Sequence, residues 1–353
     1  MAEESEVGTR VVIRELASTP LDAVESLQLE AQTRPEPGPT EVVVRVRAAQ
    51  VNWVDLIMLS GQYQHVPELP YTPGMEWAGE VVAVGSKVTR VGPGDAVIGD
   101  GLKTGPRSLG AHRAHGGFAT WVLAPGDAVI PLPERLSFAH GCSLLGGYET
   151  AWHCLVHRGR IQAGETVLIL GATGSVGLAA LQLVKHAGAI AIATSRSEDK
   201  LDLLRTLGAD HVVQTGEGWH REMKERFPDG VDVIYDPVGG ALSAVALRCL
   251  RFRGRFLIVG WSSTPFAARK DDPNQLPTNL IMMKSADVLG CPAVISTHKD
   301  PSIRAERLKA VLEAVDAGAI RPVIGETRPL REIQDAMKAK WNSQVVGSIV
   351  VEP

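Results

Sequence analysis

The sequence is poor in cysteine: its 353 residues contain four, Cys142, Cys154, Cys249 and Cys291, none in a CxxC pair. That spacing excludes a disulfide framework or a zinc cluster of paired cysteines, and the thiols read as buried side chains of a reducing compartment. An excess of charge of either sign is lacking too. With 36 basic against 40 acidic residues, a formal net charge of -4, there is no electrostatic footprint for nucleic acid or an anionic membrane. No apolar run approaches membrane-spanning length. The start, Met1-Ala-Glu-Glu-Ser-Glu, is too acidic for a secretory signal or transit peptide, so a cytoplasmic location is expected. His153 and His157 lie four apart on an expected helix, but no third ligand is in view to hold a metal with them.

What is present points to a cofactor. Glu165-Thr166-Val167-Leu168-Ile169-Leu170-Gly171-Ala172-Thr173-Gly174-Ser175-Val176-Gly177 reads as a buried strand, a glycine turn and a helix start. Gly171 and Gly174 permit a sharp turn and close approach of a pyrophosphate, and Gly177 lets the helix lie against the strand. The main chain of Gly171, Ala172, Thr173, Gly174, Ser175, Val176 and Gly177 is therefore the expected phosphate cradle, at the positive end of the helix. Apolar residues recur at helical spacing from Val176 to Ala187, Gly188 stands at the C-cap position, and a second strand, Ala189 to Thr194, follows.

That second strand lacks the carboxylate that an NAD site uses to bind the ribose hydroxyls. It ends Ala193-Thr194-Ser195-Arg196-Ser197, with Lys200 one turn on. A 2′-phosphate suits Arg196 as a fork, the Ser195 or Ser197 hydroxyl, and Lys200 as a point charge, which predicts NADPH as the cofactor. Otherwise Arg196 and Lys200 are solvated residues and the serines a helix cap.

A chain of this length suggests two domains. The first third has short strands punctuated by Gly and Pro, at Glu41–Ala49, Glu80–Val84 and Ala96–Ile98, as in a β-barrel-like unit. A helical stretch from Ala139 to Arg158 leads into the glycine turn. Strands at 166–170, 189–194, 211–213, 231–235, 255–259 and 287–290, with helices after the first four, give the doubly wound α/β pattern. An amphipathic helix through Leu308, Val311, Leu312 and Val315 precedes a return to short strands ending Gly347-Ser348-Ile349-Val350-Val351. The expected organisation is a split domain, 1–134 plus 302–353, around a cofactor domain of residues 135–301, with the substrate cleft between the two.

Further motifs run the length of the chain: Val51-Asn52-Trp53-Val54-Asp55, Pro73-Gly74-Met75-Glu76-Trp77-Ala78-Gly79, Gly92-Pro93-Gly94-Asp95, Gly116-Gly117-Phe118-Ala119-Thr120, Asp236-Pro237-Val238-Gly239-Gly240 and Asn279-Leu280 through Lys284. With the glycine turn they make the chain resemble a zinc-independent medium-chain dehydrogenase/reductase of the quinone oxidoreductase (zeta-crystallin-like) branch. The resemblance implies a Rossmann domain inserted in a GroES-like β-barrel catalytic domain, and a homodimer. It also implies further cofactor contacts at Thr150, which otherwise serves helix packing, and at Val238, Gly239, Gly260, Asn279 and Lys284. Where zinc-dependent relatives hold their metal, this sequence has Asn52 and Met75, and no cysteine precedes Gly141; no metal site is expected.

Metal-free hydride transfer suits an acceptor that is already electrophilic, a quinone or an enal, enone or enoyl thioester. Asn52 is expected as a polar contact near the nicotinamide or acceptor, with Asp55 behind it; otherwise they are a turn amide and a helix cap. The branch often carries a Tyr at the position of Ile57, which leaves the proton donor open among Tyr63, His65, Tyr148 and water. The loop from Gly99 to Gly117, with Lys103, Arg107, His112, Arg113 and His115, reads as a lid whose charges meet an acidic substrate or cofactor phosphates, or as a solvated loop. Thr264 to Pro277 reads as an excursion near the nicotinamide. Expected first is an NADPH-dependent quinone oxidoreductase, second a reductase of activated alkenes, and third a non-catalytic NADPH-binding, crystallin-like or RNA-binding protein.

Overall fold

The computed structural model describes residues 7–264 and 274–353; most of the expected excursion from Thr264 to Pro277 lies outside them. The chain divides into two compact units, the first ending at Gly146 and resuming at Pro322, the second running from Gly147 to Arg321. The sequence pattern predicts junctions at 134/135 and 301/302; against these, residues 135–146 join the first unit and 302–321 the second.

In the first unit β1 (Val7–Val12) and β2 (Gln28–Thr33) pair antiparallel. Between them α1 (Pro20–Glu25) starts at Thr19, whose side chain accepts from the Asp22 amide. The main sheet is built on β3 (Glu41–Val51), which pairs with β4 (Glu76–Val84) and with β6 (Trp121–Pro125). β5 (Ala96–Gly99) and β7 (Val129–Pro131) extend it beyond β4. Flanked on both edges, β3 is a run of buried valines and alanines, Val42, Val43, Val44, Val46, Ala48 and Ala49. β3 ends where α2 (Trp53–Leu59) begins. α3 (Phe138–Cys142) packs on β3, β4 and β5, which is why residues 135–146 belong here.

The single helix expected from Ala139 to Arg158 is three pieces: α3, α4 (Leu145–Trp152) and a π-helical turn at His153–Arg158. Ser143 and Leu144 interrupt it, and Gly141, Gly146 and Gly147 lower helix propensity on both sides.

The second unit is a six-stranded parallel sheet. Its strands are β8 (Thr166–Ile169), β9 (Ile190–Ser195), β10 (His211–Gln214), β11 (Val231–Asp236), β12 (Leu250–Ile258) and β13 (Asp287–Gly290), in the order β10-β9-β8-β11-β12-β13. The connections carry α5 (Ser175–His186), α6 (Leu201–Thr206), α7 (Trp219–Arg226), α8 (Gly240–Ala246) and α9 (Thr278–Lys284). The order reverses between β8 and β11, the switch point of a doubly wound sheet. Leu168, Leu170, Ile192, Ile234 and Phe256 fill one core with Trp219, Met223 and Leu247. β12 begins five residues before the expected 255, because Leu250 pairs with Val231 ahead of a register shift.

Next come α10 (Ala293–Lys299) and the long α11 (Ser302–Asp316). α11 buries Val311 and Val315 as its periodicity predicts, together with Arg307. Buried Glu149 takes Arg307 at 2.8 Å and Arg304 at 2.9 Å. These bonds tie α11 to α4 and keep it in the second unit. Finally, β14 (Ile324–Pro329) and β15 (Ser348–Glu352) return to the first unit, β15 pairing with β3. α12 (Ile333–Trp341) lies between them and buries Ile333, Ala336, Met337 and Ala339.

Candidate active site

The glycine turn takes the form expected of a phosphate cradle. Gly171 has φ +58°, and Gly174 caps α5 with φ −79° and ψ 161° and no side-chain partner for the helix N–H groups. The glycines have different reasons to lack a side chain. A Cβ on Gly177 would stand 2.5 Å from the Gly171 oxygen and 2.7 Å from the Ala172 Cα, so close helix packing forbids it. A Cβ on Gly174 would meet only the Gly171 oxygen, at 3.7 Å, an ordinary contact. Nothing in the protein needs glycine at 174, and its bare backbone keeps an anion's path to the helix start open. The turn leaves room for an anion at the start of α5.

At the carboxyl end of β9 stands Ser195, buried, its hydroxyl accepting from the Ser197 amide at 3.1 Å. Arg196 is exposed and Lys200 half-buried. At the end of β11, buried Asp236 accepts from the Val238 amide at 2.9 Å and the Gly239 amide at 3.0 Å, which fixes that turn. Ser243 also donates to it. Gly260 follows β12, its N–H on the Asp236 carbonyl at 3.2 Å.

Two expected residues have other work. Lys284 donates from Nζ to the Leu250 carbonyl, at the amino end of β12, opposite the strand ends that form the cradle. It is a sheet anchor, and burial lowers the pKa of its amine. The Tyr148 phenol, 2% exposed, donates to Gln182 Oε1 at 2.8 Å, and Gln182 also binds the Arg321 backbone. Burial raises the phenol's pKa. Thr150 is half-buried on α4, and Asn279 is exposed in the first turn of α9.

In the first unit four polar side chains gather where β3 meets α2. The Asp55 carboxylate, 1% exposed, accepts from the Asn52 amide at 3.0 Å and from the Gly74 and Met75 amides at 3.2 Å each. Burial outweighs these bonds and raises its pKa to about 7. Asp55 is thus a positioning residue that holds the start of α2 against the 74–75 turn. Glu76 accepts from Asn52 Nδ2 at 3.0 Å and from the Gly146 amide. Asn52 itself is half-buried. Lys340, half-buried at the end of α12, is the fourth. Burial lowers its pKa to about 8, against the opposing pull of Asp55 and Glu76. The next residue, Trp341, stacks on Trp53 at 4.9 Å and 6°, which fixes this end of α12 to α2.

Sequence reasoning missed Lys340. Lys338 and Lys340 look alike in Ala336-Met-Lys-Ala-Lys-Trp341, yet Lys338 pairs with Glu25 at 2.7 Å while Lys340 feels the charges of Asp55 and Glu76. Tyr63 is half-buried, its ring edge on His65 at 5.3 Å.

Comparison with known proteins agrees with this arrangement. Residues 38–134 match the alcohol dehydrogenase GroES-like domain, and residues 175–317 match the zinc-binding dehydrogenase family. A quinone oxidoreductase-like protein 2 homolog of Nematostella vectensis is 31% identical over 318 residues, covering 89% of this chain and 82% of that protein. The chain belongs to the medium-chain dehydrogenase/reductase family. A quinone oxidoreductase of Mus musculus is 32% identical over 306 residues, 86% of each chain. A mycobacterial member solved with NADPH superposes with TM-score 0.80 at 26% identity, over 98% of this chain and 100% of that one. As a medium-chain dehydrogenase/reductase the protein is an oxidoreductase of a small-molecule substrate, with a GroES-like unit and a parallel-sheet nucleotide-binding unit. Among the described residues no group of three His, Cys, Asp or Glu side chains is placed to hold a metal ion. None of their helices is long and apolar enough to cross a membrane.

Proposed function

We propose that this protein is an NADPH-dependent quinone oxidoreductase that works without a metal ion. The observation that carries the cofactor choice is the end of β9, where Ser195 and exposed Arg196 stand in place of a carboxylate. An Arg there accepts a 2′-phosphate in a forked, charge-assisted bond, whereas a carboxylate would repel it. Lys200 adds charge from the following turn. Thr150, Val238, Gly239, Gly260 and Asn279 complete the set of cofactor contacts. The NADPH complex of a structural neighbour is consistent with this choice.

The acceptor reading rests on the donor set in the first unit and on the names of the relatives. Asn52 and Met75 offer an amide and a thioether where a catalytic zinc would need stronger ligands. Bound NADPH supplies hydride, and an acceptor with a conjugated carbonyl needs no Lewis acid to take it. Asn52, held by Glu76, orients that carbonyl. Lys340 provides positive charge beside the developing oxyanion and holds a proton at Nζ that leaves near neutral pH. Tyr63 is a further acceptor contact.

Initial rates of NADPH oxidation across quinones, enones and enoyl thioesters test this function. Quinones are expected to turn over best. Efficient double-bond reduction with negligible quinone activity would overturn it in favour of an alkene reductase.

A further inference from the structure

The loop from Gly99 to Gly117 is anchored rather than open. The Thr72 amide bonds to the Ala114 carbonyl and the Gly116 amide to the Thr72 carbonyl, both at 3.0 Å. Thr104, Gly105, Pro106, Arg107 and Ser108 are buried. Three of its basic side chains have carboxylates: Lys103 on Asp127 at 3.0 Å, His112 on Glu41 at 2.7 Å and Arg113 on Glu68 at 2.8 Å.

Arg107 is different. It is 9% exposed, its Nε is fully buried without an acceptor, and among the described residues its side chain makes no ion pair or hydrogen bond. Holding a guanidinium this far from water with no carboxylate partner is unfavourable, because Arg cannot shed its proton. The fold has nevertheless been shaped around it. A Cβ on Gly101 would lie 3.0 Å from Arg107 Nη2 and 2.9 Å from the Met75 carbonyl, so glycine there lets the guanidinium lie beside the 75 backbone. Met75 is bonded through its amide to Asp55, and the next residue, Glu76, holds Asn52. Tyr63 is tied to the same place. His65 Nε2 bonds to the Arg107 carbonyl at 2.8 Å while its ring meets Tyr63, and the Arg107 charge counteracts the effect of burial on the Tyr63 phenol.

We propose that Arg107 and Tyr63 form a binding site for an anionic group, a carboxylate or phosphate carried by the acceptor. A guanidinium has two parallel N–H donors to offer such an oxyanion, and the phenol hydroxyl is a further donor. Describing the ligand as an acceptor rests on the reductase function above; the anion site itself does not.

The test uses full-length protein and two readouts. In calorimetric titration, benzoate is expected to bind wild type at least ten-fold more tightly than neutral benzamide, and Arg107→Met to erase that difference. Inorganic phosphate in the same titration distinguishes phosphate from carboxylate as the preferred anion. In kinetics, a carboxylated benzoquinone is expected to show a lower KM than its methyl ester with wild type, and no advantage with Arg107→Met. Equal binding of benzoate and benzamide by wild type overturns the proposal even if the variant fails to fold. Arg107-dependent benzoate binding without quinone turnover keeps the anion site and rejects the quinone acceptor.

Discussion

Arg196 is exposed at the carboxyl end of β9, where a guanidinium can bond a 2′-phosphate in a fork that a 2′-hydroxyl cannot fill. Arg196→Ala is expected to weaken NADPH binding about ten-fold or more and to leave NADH little changed, measured by fluorescence titration of both nucleotides. Equal losses would reject the 2′-phosphate contact. Asp55 carries a pH signature. Its pKa in the folded chain, about 7, lies above the ordinary 3.8. Its contribution to stability is therefore complete below about pH 4 and is lost as pH rises through about 7, a change of roughly 4 kcal/mol. Denaturant unfolding of Asp55→Asn is expected to lack that decline, whatever constant loss the substitution brings from the amide facing the Asn52 N–H. Lys340 sets a pH limit on activity, which also declines as pH rises. With its pKa near 8 and Asp55 and Glu76 as its charged neighbours, kcat is expected to fall as pH rises through about 8. Lys340→Met should remove that limb without changing NADPH affinity.

The β8–α5 turn separates what glycine does for the fold from what it does for a ligand. Gly177→Ala drives a methyl into backbone atoms at 2.5 and 2.7 Å and is expected to cost about 1–3 kcal/mol of stability. Gly174→Ala meets nothing closer than 3.7 Å and is expected to change stability by no more than about 1 kcal/mol. NADPH affinity should nevertheless fall at least about ten-fold, because the methyl enters the phosphate's path. Thermal unfolding beside nucleotide titration reads both. This element was legible in sequence because a continuous apolar run, a glycine turn and a 3.6-residue period each constrain the same stretch. Local pattern does not reveal bonding partners that come from far along the chain. Nothing near Tyr148 announces Gln182, and nothing near Lys284 announces the Leu250 carbonyl. The start of β12 was missed for a related reason: Leu250 extends the strand through a register shift with β11 that no local pattern records.

At the scale of the molecule, the split of one unit around the other was visible in the return of short strands after α11, while the boundaries were not. Those boundaries depend on long-range contacts, the seat of α3 on β3 to β5 and the buried bonds from Glu149 to Arg304 and Arg307. Glu149→Ala strands buried guanidinium charge and is expected to destabilise the second unit by about 3–5 kcal/mol in denaturant unfolding. The proposed function joins the nucleotide-binding unit to a first unit in which Asn52 and Lys340 stand beside the Glu76 carboxylate. Its most direct test is single-turnover oxidation of NADPH by a quinone, using chelator-treated protein verified free of zinc, with protiated and 4-deuterated NADPH compared. Full activity with a primary isotope effect is the predicted result; loss of turnover on metal removal, restored by zinc, would contradict it.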